Sequence, residues 1–462
     1  MHQRLLPLTV GLAFFMEQLD STIIAPAIPD VAADLGVDPL GLNLTMTVYL
    51  LCSVVFIPTG DWLASRFGTR TVFQASLAVF SLASVMCALA SSLSMLVAAR
   101  ALQGASAAWM VPVGRTCIVR VTPKAELVNA LAWMITLAMV GPMLGPLLGG
   151  FLTTWLSWHW IFLINVPIAL LCFWGSLRAI PQIRQTPDGR FDTLSWLLLG
   201  SALTIVILVL EGVRDGRWGS LLWLAPMAAI MLAYRWRARH TCLPMIDFSL
   251  LHVPTFAASF WSGSLLRVGY GALPFLLPLM LQLGMGYSPV QSGSVLLAGG
   301  LVSMLTKPLT TPILRRWGFR RVMLVNGSLC VVGLLVCALF REAWGLGFIS
   351  LAVSFAGFFR AVQFNAVAAI AYAELPPARI GAATTLNTMV WQLAIMVGIA
   401  LSSVAVTLAA KSADRLEAAP FDYGIAFLML AFIGSMATPA CLRLRQNAGN
   451  QLSGHQTYDN NR

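Results

Sequence analysis

Charge is what this 462-residue sequence has least of: only 10% of residues are charged against 58% hydrophobic, and acids are the scarcer sign, 18 against 29 Lys and Arg. Histidine is rarer still, five residues scattered at His2, His159, His240, His252 and His455. Without a His, Asp and Glu cluster there is no nucleophile or metal constellation to read, so the chain is expected to be no enzyme and to hold no metal. No phosphate-binding loop accompanies the apolar runs, so energy is expected to come from an ion gradient or a partner, and no cofactor is expected. Seven of the eight cysteines (Cys52, Cys87, Cys117, Cys172, Cys330, Cys337 and Cys441) lie inside apolar runs without ligand spacing, so neither a disulfide framework nor a zinc site follows. No polar stretch is long enough for a soluble domain, which argues against a sensor or docking protein. The net charge of +11 is dispersed in short arginine clusters and carries no nucleic-acid footprint.

What is abundant is uninterrupted apolar sequence, in runs of bilayer-spanning length and without period-2 alternation. The expected fold class is an all-α polytopic membrane protein of fourteen transmembrane helices, in an arrangement of six, two and six. Spans are expected near 7–28, 43–64, 72–90, 94–117, 128–153 and 159–179, then 194–212 and 219–237, then 255–283, 289–313, 322–340, 345–372, 382–409 and 423–442. The divisions are an N-terminal six-span bundle over 1–180, a linker with two extra spans over 181–253, a C-terminal six-span bundle over 254–443 and a cytoplasmic tail over 444–462. The tail is polar and lacks periodicity, so it is expected to be disordered. The first run is long and holds two acids, so it reads as a retained span and not as a signal peptide. Arginine clusters such as Arg66/Arg70, Arg235/Arg237/Arg239 and Arg315/Arg316/Arg320/Arg321 all fall on one side if the N-terminus is cytoplasmic. An even span count then places both termini inside.

The two six-span blocks repeat. Pro58, Arg66, Phe67, Gly68 and Arg70 are matched 250 residues on by Pro308, Arg316, Trp317, Gly318 and Arg320, and Arg100-Ala101-Leu102-Gln103 is answered by Arg360-Ala361-Val362-Gln363. Such a repeat implies two bundles built around a central site.

Within the apolar runs a few ionisable residues stand out, because each costs at least a few kcal/mol near hydrocarbon and is functional by default. Glu17 and Asp20 share one face of the first span at helical spacing and can load and unload a proton; a purely structural role, pinned by arginines elsewhere, is the alternative. Arg100 in the fourth span, beside Gln103, could pair with a carbonyl or with Glu17. Arg267 and Arg360 could tune the acids or hold anionic groups of a substrate. Trp109, Trp133, Trp261, Tyr270 and Trp391 are candidates for an aromatic cavity, although helix packing or an interface belt explains each as simply.

Five motifs carry a family resemblance. Gly60-Asp61-Trp62-Leu63-Ala64-Ser65-Arg66-Phe67-Gly68-Thr69-Arg70 lies between the second and third spans, and Arg100-Ala101-Leu102-Gln103-Gly104 lies in the fourth. The fifth span holds Gly141-Pro142-Met143-Leu144-Gly145-Pro146-Leu147-Leu148-Gly149-Gly150, a small-xxx-small stripe interrupted by two prolines. Trp158 to Pro167 opens the sixth span, and Leu19-Asp20-Ser21-Thr22 lies in the first. Together they resemble the major facilitator superfamily, in its fourteen-span drug:proton antiporter branch, and within that branch the MdtD-like multidrug exporters. The resemblance implies alternating access, Asp20, Glu17 and Arg100 in proton coupling, and Arg267, Arg360, Gln103 and Tyr270 lining a substrate cavity. It further implies an antiporter motif of Gly141, Pro142, Gly145, Pro146, Gly149 and Gly150, and a cytoplasmic loop latch of Gly60, Asp61, Arg66, Gly68 and Arg70 with switchable ion pairs. Departures are Ser65 where a second acid is common, Thr69 where Arg is common, His159 where Arg is frequent and Ala25 in place of Asn. The function implied is proton-coupled efflux of small amphiphilic molecules or drugs across the inner membrane by a monomer, with protons, a small-molecule substrate and the lipid bilayer as its partners. Export of a specific organic anion, such as a carboxylate metabolite or its metal chelate, is the alternative, favoured by three membrane arginines against two acids.

Overall fold

In the computed structural model the described residues are 2–451, apart from 185–190, 242–244, 377–378, 416, 446–447 and 450. The linker residues Pro187 and Asp188-Gly189 and the tail end 452–462 therefore lie outside the described residues. Among those described there is helix and no strand, as hydrocarbon requires: a helix satisfies its backbone donors and acceptors within its own segment. The main helices are α1 (His2–Ile23), α2 (Asn43–Phe56), α3 (Thr69–Ala88), α4 (Leu93–Val121), α5 (Lys124–Trp155), α6 (Asn165–Ala179), α7 (Thr193–Arg214) and α8 (Leu224–His240). There follow α9 (Pro254–Leu279), α10 (Pro289–Leu305), α11 (Lys307–Ala338), α12 (Leu346–Ile370), α13 (Ile380–Ser412) and α14 (Pro420–Ser435). Eleven stretches among the described residues are long and apolar enough to cross a membrane. The three remaining expected spans fall on α4, which carries Arg100, Arg115 and Arg120, and on α8 and α10, which have 17 residues each.

The chain forms two compact units, one of residues 1–212, 217–240 and 287–293 and the other of 213–216, 241–286 and 294–462. The first unit contains α8 and nearly all of α7. Trp196 of α7 donates to the carbonyl of Val55 at 2.7 Å, and its ring meets Phe56 edge-on. Asp192, just ahead of α7, is bound by Arg237 near the end of α8 at 2.8 Å. Burial alone would push that carboxyl up, but the bonds from Arg237 and Ser195 outweigh it and hold Asp192 below the usual carboxylate range.

The sequence repeat is also a structural one. After α2 the chain breaks at Ile57–Thr59, where Pro58 supplies no backbone donor, runs as a short helix Gly60–Phe67, and turns at Gly68 with φ +94°. After α10 it breaks at Thr306 and turns at Gly318 with φ +71°, a kink inside α11. A side chain at either glycine would be strained. Burial then repeats along the helices that follow: Val72, Phe73, Ser76, Phe80 and Cys87 are buried in α3, and Val322, Met323, Asn326, Cys330 and Cys337 in α11.

In the second unit, the first part of the tail does not behave as composition implied. Leu444 and Ala448 are buried with Cys441 against Phe319 and Val322, and Arg320 donates to the carbonyl of Leu442 at 3.3 Å. Two apolar residues four apart gave too short a signal to register as periodicity.

Candidate functional site

In the first unit the expected acid and arginine meet in one buried network. Arg100 Nη1 of α4 lies 2.6 Å from Asp20 Oδ2 of α1, with both side chains at most 1% exposed. Asn165 Nδ2, at the start of α6, donates to Asp20 Oδ1 at 2.7 Å, and Gln103 Nε2 donates to the same oxygen at 3.2 Å. Gln103 Oε1 accepts from Arg100 Nη1 at 2.8 Å, while its amide nitrogen also reaches Ser84 of α3. Arg100 Nε donates to the carbonyl of Thr45 in α2, and the guanidinium lies 4.3 Å from the Tyr49 ring centroid. Residues of five helices, α1 to α4 and α6, therefore meet in one network around this carboxylate. Removing one partner of such a buried pair leaves an uncompensated charge and costs about 3–5 kcal/mol.

The glycine stripe of α5 explains how α1 is held there. A Cβ on Gly141 would meet the backbone of Leu19 and Phe15, both at 2.8 Å, one on Gly145 would meet the Thr22 hydroxyl, and one on Gly149 would strike the carbonyl oxygen of Ile23. These contacts bracket Asp20, so α5 packs backbone-close against the segment that carries the acid. Pro142 and Pro146 lie within α5, which remains helical through both.

Glu17 sits one turn before Asp20, buried, with Oε2 making no hydrogen bond among the described residues. Gln103, expected at a substrate cavity, is instead wholly buried in the Asp20 network. Sequence spacing within α4 could not show which neighbour its face meets. Three contributors were missed. Asn165 lay inside the quoted sixth-span motif without a role, and the Thr45 carbonyl has no sequence signal. Glu211 near the end of α7 is a third buried membrane acid, bonded by Asn43 Nδ2 at 2.9 Å. It was legible as an acid in an apolar run.

In the second unit Arg267, Tyr270 and Arg360 are brought together. Arg267 of α9 stacks over Trp391 of α13 at 3.7 Å and Phe364 of α12 at 4.3 Å. Phe364 packs edge-on against Tyr270 at 6.2 Å, and Arg360 lies 5.8 Å from the Tyr270 ring. Among the described residues neither arginine has an ion pair; Arg360 is bonded by Ser303 at 3.1 Å and Arg267 by the Gly263 carbonyl of its own helix. Gln363 and Asn387 are fully buried, yet none of their amide atoms finds a partner among the described residues, nor does Trp391 Nε1.

The loop after α2 is held differently from the expected ion-pair latch. Arg70 Nε donates to the Ile180 carbonyl at 2.6 Å, Thr69 exchanges bonds with Pro181 and Ile183, and Gln182 bonds Phe67 and Thr71. Gly60 is buried, Arg66 lies over Trp62 and Phe67, and no ion pair joins Asp61 among the described residues. Of the other aromatic candidates, Trp109 donates to Thr59 and packs on Phe56, whereas Trp133 and Trp261 are about half exposed. Of the candidates, Trp391 meets Arg267 and Tyr270 meets Arg360.

A family model described as Major Facilitator Superfamily matches residues 10–399. The chain belongs to the major facilitator superfamily. It is 33% identical over 438 residues, 94% of this chain and 92% of the other, to "Putative multidrug resistance protein MdtD" of Klebsiella pneumoniae subsp. pneumoniae. The protein of the same name from Salmonella heidelberg is 31% identical over 440 residues, covering 94% and 93%. Among solved structures it resembles a bacterial homologue of the human lysosomal transporter Spinster, with a TM-score of 0.68, 14% identity and 99% coverage of both chains. That likeness supports the fold. As a superfamily member the chain is a multi-pass membrane transporter and not an enzyme.

Proposed function

We propose that this major facilitator transporter is a proton-coupled antiporter exporting small amphiphilic molecules or drugs by alternating access. The observation that supports this most is the carboxylate of Asp20, wholly buried and bonded by Arg100, Gln103 and Asn165. A proton on Asp20 removes the counter-charge of Arg100, and a buried guanidinium left alone costs several kcal/mol. Protonation therefore has to be accompanied by a rearrangement that rehydrates or re-pairs the arginine, which is the coupling an antiporter needs. Glu17, one turn away, is a second proton-carrying group or a contact for cationic cargo.

The rest of the assignment follows the same reading: an N-terminal bundle, two accessory spans, a C-terminal bundle and a tail, in the inner membrane as a monomer with both termini cytoplasmic. The positive-inside distribution of arginine supports this orientation. A second reading, export of a specific organic anion or metal chelate, is favoured by Arg267 and Arg360, which have no acidic partner among the described residues.

The test uses everted vesicles energised by respiration. Adding ethidium or 1-naphthoate to vesicles containing the transporter is expected to dissipate part of the pH gradient. Transport that persists when the pH gradient is collapsed, and instead follows sodium, would overturn the proton assignment.

A further inference from the structure

The geometry points to a cargo site in the second unit, formed by Arg267, Arg360 and Trp391, that takes a carboxylate attached to a flat aromatic body. This rests on the reading of the chain as a small-molecule exporter and narrows its substrate class. A guanidinium offers five N–H donors and no acceptor. Arg267 engages one, to Gly263 at 3.3 Å, and Arg360 engages one, to Ser303 at 3.1 Å. The described ion pairs of this unit, Arg214–Asp215, Arg379–Asp247 and Arg415–Asp422, involve neither of them.

The Trp391 indole N–H makes no hydrogen bond among the described residues, and it lies close to the Arg267 guanidinium beside Gly263: the position of a Cβ on that glycine is 3.2 Å from Arg267 Nη1 and 3.3 Å from Trp391 Nε1, with Val367 at 2.7 Å. The free donors of Arg267, Arg360 and Trp391, with no acid beside them among the described residues, select a ligand that accepts, and the planar guanidinium fork matches a carboxylate. The aromatic preference comes from the walls, since the partly exposed rings of Phe364 and Trp391 flank Arg267 and Tyr270 packs against Phe364 and lies beside Arg360. Stacking on these rings fixes the guanidinium plane but leaves its charge unneutralised.

The experiment measures binding to the full-length purified protein in neutral-lipid nanodiscs, at one pH and with no gradient. Failure of proton coupling would therefore leave it untouched. The probes are 1-naphthoate, its neutral amide 1-naphthamide and the cation 1-naphthylmethylammonium. The expected result is naphthoate bound about 10–100-fold more tightly than the amide, as hydrogen bonds to a charged group imply, with the cation weakest. Arg267→Gln is expected to abolish that discrimination, and Arg267→Lys, which keeps the charge without the fork, to restore part of it. Equal binding of the three probes by the wild-type protein, or preference for the cation, would overturn the assignment whatever the variants do. Phosphatidylglycerol that competes with naphthoate in mixed-lipid nanodiscs would identify the occupant as a lipid headgroup and overturn the cargo assignment.

Discussion

The two units repeat one scaffold and fill it with opposite electrostatics. Arg100 and Gln103 in the first recur as Arg360 and Gln363 in the second, and Gly68 recurs as Gly318 with the same left-handed turn. In the first unit the arginine meets Asp20, and the amide is used to orient that pair. The residue 250 positions after Asp20 is Tyr270, a phenol that donates to the Cys330 carbonyl and cannot neutralise Arg360. The comparison supports the proposed division of labour: an arginine closed on a carboxylate for exchanging a proton, and two arginines without an acid beside them among the described residues for holding an anion.

The comparison breaks most completely at Asp20. Asp20→Asn keeps the shape and one of the two accepting oxygens but fixes the neutral state, so uphill export is expected to fall to background while 1-naphthoate binding in the second unit persists; pH-coupled export by this variant would transfer the role to Glu17. Next in size is the α5 stripe that presses α1 into place. Gly149→Ala sets a methyl against the carbonyl of Ile23, which cannot step aside, whereas Gly145→Ala meets chiefly the Thr22 hydroxyl, with the Ile23 backbone nitrogen at 3.3 Å. The first is expected to lower thermal stability by about 1–3 kcal/mol, as overpacking does, and to abolish transport. Gly145→Ala is expected to stay partly active, and the bulkier Gly145→Leu to lose export while still inserting. Equal behaviour of Gly145→Ala and Gly149→Ala would show that the stripe is no seam.

A smaller effect is expected at the accessory span. Asn43 joins Glu211 to the first turn of α2, two residues before the carbonyl that receives Arg100. Asn43→Ala removes one buried hydrogen bond, about 1–3 kcal/mol, and should shift the pH profile of export without changing naphthoate affinity. The smallest effect belongs to the Asp247–Arg379 pair at 2.7 Å, outside the spans. Partial burial alone would raise the Asp247 carboxyl, but bonds from Ser249 and Arg379 hold it below its usual range. Its stabilisation is therefore present above the ordinary carboxylate range and is lost as pH falls through the lowered value. Being partly exposed, it is worth about 0.2–1 kcal/mol, so Asp247→Asn should shift the melting temperature slightly at neutral pH and not in strong acid.

Much of this contrast was legible in the chain. Apolar runs anticipated the helices, and the 250-residue repeat put Gly68 and Gly318 in register, although the turn that each makes was seen only in the structure. That Asp20 and Arg100 matter followed from the expense of a charge in hydrocarbon. Which side chains meet did not follow: Gln103 looked like a cavity residue until α4 was seen to turn it onto Asp20, and Asn165 and Glu211 act across helices far apart in sequence. The arginines of the second unit were found, but the missing acid beside them is a property of packing.

The most direct test of the central claim is proton release by the solubilised transporter in weakly buffered solution, followed with a pH dye as 1-naphthoate or ethidium is added, whichever binds. The account predicts release of about one proton per molecule from the wild type and from Glu17→Gln, and none from Asp20→Asn. Equal release from Asp20→Asn and wild type would contradict it.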